Sequence, residues 1–244
     1  MSAEPERRYA LLTREREDNA PLRALLEAAG VPVLEIPCTR IVFTAPAIVP
    51  DRADALAFTS RRGVDGFFSC AACLRLLEGT RPLVGAVGSA TAARLGAHGV
   101  AADVVADPQT GEALGRALSS RLEAGARVAV VRGSLEAGGL EPSLRAAGIA
   151  AEPVEVYENR GVDLGPVARF PLCGALVASP SAAARLFSAA PWIADAAFFA
   201  LGPTTAAALG DLGAARISVV GPEVSAQARA LIAAHGAGRG SEET

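Results

Sequence analysis

Ala86-Val87-Gly88-Ser89-Ala90-Thr91-Ala92-Ala93-Arg94-Leu95 has a second copy in Ala200-Leu201-Gly202-Pro203-Thr204-Thr205-Ala206-Ala207-Ala208-Leu209. Each copy reads as the end of an apolar strand, a glycine turn and the start of an Ala/Leu helix. Two further pairs lie at nearly the same separation. Ala57-Phe58-Thr59-Ser60-Arg61-Arg62-Gly63-Val64 corresponds to Leu176-Val177-Ala178-Ser179-Pro180-Ser181-Ala182-Ala183. Ala10-Leu11-Leu12-Thr13-Arg14, with Leu26-Glu27-Ala28-Ala29-Gly30, corresponds to Ala129-Val130-Val131-Arg132-Gly133, with Leu144-Arg145-Ala146-Ala147-Gly148. An internal repeat of this kind organises a whole chain.

Each unit alternates a short apolar run, a Ser/Thr/Gly turn and an amphipathic stretch ending in glycine, which is the rhythm of βα units on a parallel sheet. Fully apolar runs such as Val128 to Val131 suit strands buried on both faces. The fold class expected is therefore α/β, with two similar doubly wound parallel-sheet domains. After Gly30 and Gly148 the chain continues past one strand length, which suits a two-stranded connector. One domain is then inserted in the other. The expected layout is a discontinuous first α/β domain of residues 1–36 and 161–244, connector strands 37–42 and 157–160, and a second α/β domain of residues 43–156.

Composition narrows the function. The 23 basic and 26 acidic residues leave a net charge of −3, which argues against nucleic acid and against a membrane surface as partner. No apolar run reaches the roughly 18 residues of a membrane span, and no export signal opens the chain. A cytoplasmic location is expected. Cys38, Cys70, Cys73 and Cys173 are too few and too scattered for a disulfide framework. Cys70 and Cys73 have the spacing of half a zinc or redox site, yet no second pair follows, and buried thiols account for them. No metal is expected.

The order Leu11-Leu12-Thr13-Arg14, Phe58-Thr59-Ser60, Val87-Gly88-Ser89-Ala90-Thr91, Val130-Val131-Arg132-Gly133, Val156-Tyr157-Glu158-Asn159, Ala178-Ser179-Pro180-Ser181 and Leu201-Gly202-Pro203-Thr204-Thr205 resembles the uroporphyrinogen-III synthases. The likeness covers nearly the whole chain and is carried by order and spacing, since Gly-x-x-Thr turns are common in α/β proteins. It departs from the family pattern at Arg61 and Ser89, where proline is frequent, and at Ala178, where threonine is.

The resemblance implies a cofactor-free lyase, a monomer, that converts the linear tetrapyrrole hydroxymethylbilane to uroporphyrinogen III with loss of water and inversion of the last ring. The first ring loses its hydroxyl to form an azafulvene cation, the substituted carbon of the last ring attacks, and a spiro intermediate reopens before closure. The unassisted compound closes to the wrong isomer, so the protein's work is chiefly to position the chain.

Tyr157 matches the family's notable tyrosine, which implies a hydrogen bond to the departing hydroxyl from a cleft between domains. A phenol carries its proton at neutral pH and can donate it. The competing reading is a connector tyrosine that packs its ring and wets its hydroxyl. Thr91 and Thr205, in equivalent glycine turns, and Ser60 and Ser179, after two other strands, can offer hydroxyls and helix amides to the substrate's carboxylates. They can equally serve as plain N-caps. Arg14, Arg62 and Arg132 follow strands near the same turns and can pair with acetate and propionate groups. A solvated rim arginine is the alternative for each.

Other classes remain open at this level. A nucleotide or sugar-binding α/β protein would use glycine turns too, but neither Gly-x-x-x-x-Gly-Lys-Ser/Thr nor Gly-x-Gly-x-x-Gly after a first strand is present. A non-catalytic paralogue that senses tetrapyrroles would share every feature above.

Overall fold

A computed structural model describes residues 7–78, 81–134 and 138–239. The chain divides into two compact units: a terminal unit of Met1–Arg40 with Arg160–Thr244, and a central unit of Ile41–Asn159.

The terminal unit is a five-stranded parallel sheet built from β1 (Tyr9–Leu12), β2 (Val33–Glu35), β9 (Leu172–Val177), β10 (Ala197–Ala200) and β11 (Arg216–Val219), in the order β11-β10-β9-β1-β2. Side chains alternate across each strand, so the two faces build separate cores. Leu11, Ala175, Val177, Phe198 and Ala200 pack beneath α7 (Pro180–Ala189) and α8 (Pro203–Asp211). Ala10, Leu12, Leu176 and Phe199 pack beneath α1 (Arg16–Ala28) and α9 (Val224–Arg239). Helices therefore cover both faces, as an all-parallel sheet requires.

The central unit contributes β4 (Ala55–Phe58), β5 (Leu83–Ala86), β6 (Val104–Val105), β7 (Arg127–Gly133) and β8 (Ala150–Gly161), with β3 (Thr39–Phe43) at the edge beside β8, in the order β3-β8-β7-β4-β5-β6. The pairs from β8 through β6 are parallel. Leu56, Phe58, Val84, Ala86, Ala129 and Val131 meet α2 (Arg61–Phe68), α3 (Ala71–Leu74) and α4 (Ser89–Ala97) on one face. On the other, Ala55, Ala57, Val128 and Val130 meet α5 (Gly111–Ser119) and α6 (Leu140–Ala146).

The repeats seen in the sequence are repeats of position. Strand β1 corresponds to β7, β9 to β4 and β10 to β5, and each set occupies the same places in its own sheet. The chain enters the two units at different places, and the central sheet carries β3 as an additional edge strand. Gly30 and Gly148 close equivalent helices with φ 73° and 72°, a left-handed conformation that a Cβ would strain. Strands β3 and β8 both run across the boundary between the units, and β8 is one continuous strand through Tyr157. Among the described residues no helix is long and apolar enough to cross a membrane.

Candidate functional site at the strand tips of the central unit

In a doubly wound sheet the strand order reverses at one point, and the loops on either side diverge to leave a crevice at the carboxyl ends of the strands. In the central unit the reversal falls between β7 and β4. A cleft of about 450 Å³ opens there, lined by Thr59 and Ser60 after β4, Arg132 and Gly133 at the end of β7, and Tyr157 and Asn159 on β8. Arg62 on α2 and Gln109 with Thr110 before α5 also line it.

Local sequence explains why these groups meet. Ser60 has extended backbone and caps α2, its Oγ accepting a hydrogen bond from Gly63 N–H at 3.0 Å. Gly63 and Gly66 share one face of α2. A Cβ on Gly66 would lie 2.7 Å from Val156 Cγ2, and one on Gly63 would lie 3.1 Å from Val131 O, so these glycines let the helix rest directly on β7 and β8. That close approach brings Ser60 Oγ to 3.1 Å from Tyr157 Oη. The tyrosine ring is held from the other side, where Gly133 pairs with Tyr157 after a register shift between β7 and β8 and leaves room that a side chain would fill.

Arg132 is a structural cation as well as a lining group. It is buried, with Nε 3.0 Å from Glu141 and Nη2 3.3 Å from Glu155, and Nη1 donates to Gly133 O at 3.0 Å. Two carboxylates thus compensate its charge while it braces the shifted end of β7. It lines the cleft with its charge already shared between these two carboxylates.

The expected site residues separate into three groups. Ser60, Arg62, Arg132 and Tyr157 come together in this one cleft. Thr91 and Thr205 do not act as caps: Gly88 and Gly202 hold the cap positions, and both threonines are buried one turn further in, 6% and 2% exposed. Neither lines the cleft. Ser179 and Arg14 belong to the terminal unit. Ser179 caps α7 through a bond from Ala182 N–H at 3.2 Å. Arg14 donates to Gln227 Oε1 at 3.1 Å, and burial pulls its guanidinium below the usual arginine range against the opposing charge of Asp18.

Sequence reading did not single out Gln109, Thr110 or Asn159. Asn159 had a signal, because it stands two residues beyond Tyr157 on one strand and so shares its face. Thr110 had another, a threonine directly before a helical pattern, and it caps α5 by accepting from Ala113 N–H at 3.2 Å.

The family model described as uroporphyrinogen-III synthase HemD matches residues 20–228. The chain belongs to the uroporphyrinogen-III synthase family. Solved structures of family members agree in fold at low identity. A uroporphyrinogen-III synthetase from Helicobacter pylori is 18% identical, with 93% of this chain and 99% of that one covered and a TM-score of 0.57. A mutant uroporphyrinogen III synthase from Thermus thermophilus is also 18% identical, with 93% and 98% covered and a TM-score of 0.52. In this uroporphyrinogen-III synthase family member, the fold has outlasted most of the side chains it shares with those relatives.

Proposed function

We propose that the chain cyclises hydroxymethylbilane to uroporphyrinogen III with inversion of the last ring and loss of water, and that the strand-tip cleft of the central unit engages the reacting end of the substrate. The family supports the reaction. The placement of Tyr157 supports the cleft, because its hydroxyl stands at the switch point of the sheet beside a serine and an arginine.

In this reading Tyr157 hydrogen-bonds the departing hydroxyl of the first ring and donates its proton as the carbon–oxygen bond breaks. Arg62, which lines the cleft from α2, is assigned to a substrate carboxylate. Thr110 and Asn159 supply neutral polar contacts in the wall. The remaining work is geometric: the flexible tetrapyrrole is held so that the substituted carbon of the last ring, not its open position, reaches the cation. The protein acts as a monomer, without a cofactor and in the cytoplasm, where four free cysteines fit a reducing medium.

The test is direct. Hydroxymethylbilane is incubated with the protein and the products are oxidised and separated by chromatography. Isomer III in place of the spontaneous isomer I is the expected result, and isomer I alone refutes the assignment.

A further inference from the structure

We propose that Ser60 is a positioning residue for Tyr157, orienting the phenol so that its proton faces the cleft. The inference rests on the reading that Tyr157 donates to the departing hydroxyl, and it concerns the direction of one hydrogen bond.

Ser60 Oγ and Tyr157 Oη lie 3.1 Å apart, and either atom can be the donor on distance alone. The second bond of Ser60 favours one direction. Ser60 Oγ already accepts from Gly63 N–H at 3.0 Å, an amide in the first turn of α2. A serine hydroxyl has one proton and two lone pairs. Once it accepts from a helix amide, which carries part of the positive end of the helix dipole, its own proton is the better donor. The chain Gly63 N–H to Ser60 O–H to Tyr157 Oη uses the serine proton, and the phenol proton points away toward the cleft. The opposite direction would fill both lone pairs of the serine oxygen, leave the serine proton without Tyr157 as its acceptor and turn the phenol proton away from the substrate.

Two glycines hold this chain in register. Gly66 seats α2 on β8 at Val156, the residue before Tyr157, and Gly133 leaves room for the ring on its far side. A phenol so gripped has little room to shift sideways, and its oxygen stays within reach of Ser60. When the carbon–oxygen bond of the substrate breaks, the electron pair leaves on oxygen, the phenol proton joins it to form water, and the phenolate keeps the Ser60 O–H bond. That bond strengthens as the charge develops, so it assists the step more than the resting state. The phenol regains a proton when the cyclised product loses one to restore its pyrrole.

The chain has two tyrosines, Tyr9 and Tyr157, and Tyr9 lies in the terminal unit with its ring against Phe170. Tyr9→Phe therefore leaves Tyr157 as the sole source of the tyrosine Raman doublet, whose intensity ratio reports whether a phenol oxygen accepts or only donates. In that background Ser60→Ala is expected to move the doublet to the donor-only ratio and to lower kcat by about tenfold. Ser60→Thr, which keeps both hydroxyl and cap, is expected to restore both readings. Ser60→Asp keeps a cap but can only accept, so it is expected to hold the thermal midpoint while giving the donor-only doublet and the slow turnover. An unchanged doublet in Ser60→Ala overturns the proposal. So does full activity in Ser60→Ala when Tyr157→Phe is slow, whereas full activity in Tyr157→Phe itself overturns the reading beneath it.

Discussion

A Cβ built on Gly133 would stand 2.5 Å from Cε2 of Tyr157 and 2.7 Å from Cζ, so this glycine and this ring occupy one space between them. The contact is across paired strands, where Gly133 meets Tyr157 just after the register of β7 shifts. No rotation of the ring about its own axis relieves it, because Cζ lies on that axis and does not move. Gly133→Ala is expected to displace the phenol and lower kcat several-fold with a smaller change in KM. In a Tyr157→Phe background the same substitution should cost little further rate, which steady-state kinetics on the double variant would reveal. Additive losses would mean that Gly133 acts by another route.

Tyr157 and the two buried threonines make opposite predictions. Tyr157→Phe removes a proton donor from the cleft wall and is expected to lower kcat by about ten- to a hundredfold, the low end of what proton transfer supplies. Thr91→Ala and Thr205→Ala remove buried groups away from that wall and are expected to lower the unfolding midpoint while leaving kcat near the unmodified value. Kinetics and chemical denaturation on the same three variants separate the cases, and a slow but stable Thr91→Ala would contradict the assignment.

The Arg132–Glu141 pair is nearly solvent-free, with side chains 10% and 7% exposed. Arg132→Met leaves Glu141 buried without its partner and is expected to cost about 3 kcal/mol. Adding Glu141→Leu removes the stranded carboxylate and should recover most of that loss. Urea denaturation of both variants decides it: a double variant no more stable than the single would show that the pair does more than compensate itself.

Two thiols set an alkaline limit. Burial pushes Cys38 up to about 11 against the pull of Arg185, and burial followed by its hydrogen bond with Cys70 pushes Cys73 up to about 12, from an ordinary value of 9.0. Both therefore stay neutral in the folded protein after their unfolded counterparts have ionised. The stability they contribute is complete below pH 9 and declines as pH rises from 9 toward 11 and 12. Denaturation midpoints taken from pH 8 upward should fall over that window, and more shallowly in Cys38→Ala. Equal slopes in the two proteins would show that Cys38 ionises as freely folded as unfolded.

Gly88 with Gly202, Ser60 with Ser179 and Gly30 with Gly148 were legible as equivalent pairs because each marks a local event, a turn, a cap or a helix stop, that a few neighbouring residues dictate. The strand periodicity carried the sheet type in the same way, since Val128 to Val131 must be buried on both sides. Asn159 was within reach through its spacing from Tyr157.

Other features had no local signature. Whether Thr91 is a cap or a packed side chain turns on where α4 begins, and a glycine at the cap position shifts that by one turn. That Arg132 spends its charge on Glu141 and Glu155, that Gly66 seats α2 against Val156, and that Ser60 meets Tyr157 are all contacts between residues far apart in the chain. By itself the sequence determined the repeated βα units, the parallel sheets and the family, because periodicity and turn chemistry act over a few residues. Only the tertiary structure decided which side chains share a cleft and which cancel one another, because close packing and charge compensation depend on distances that no spacing along the chain encodes.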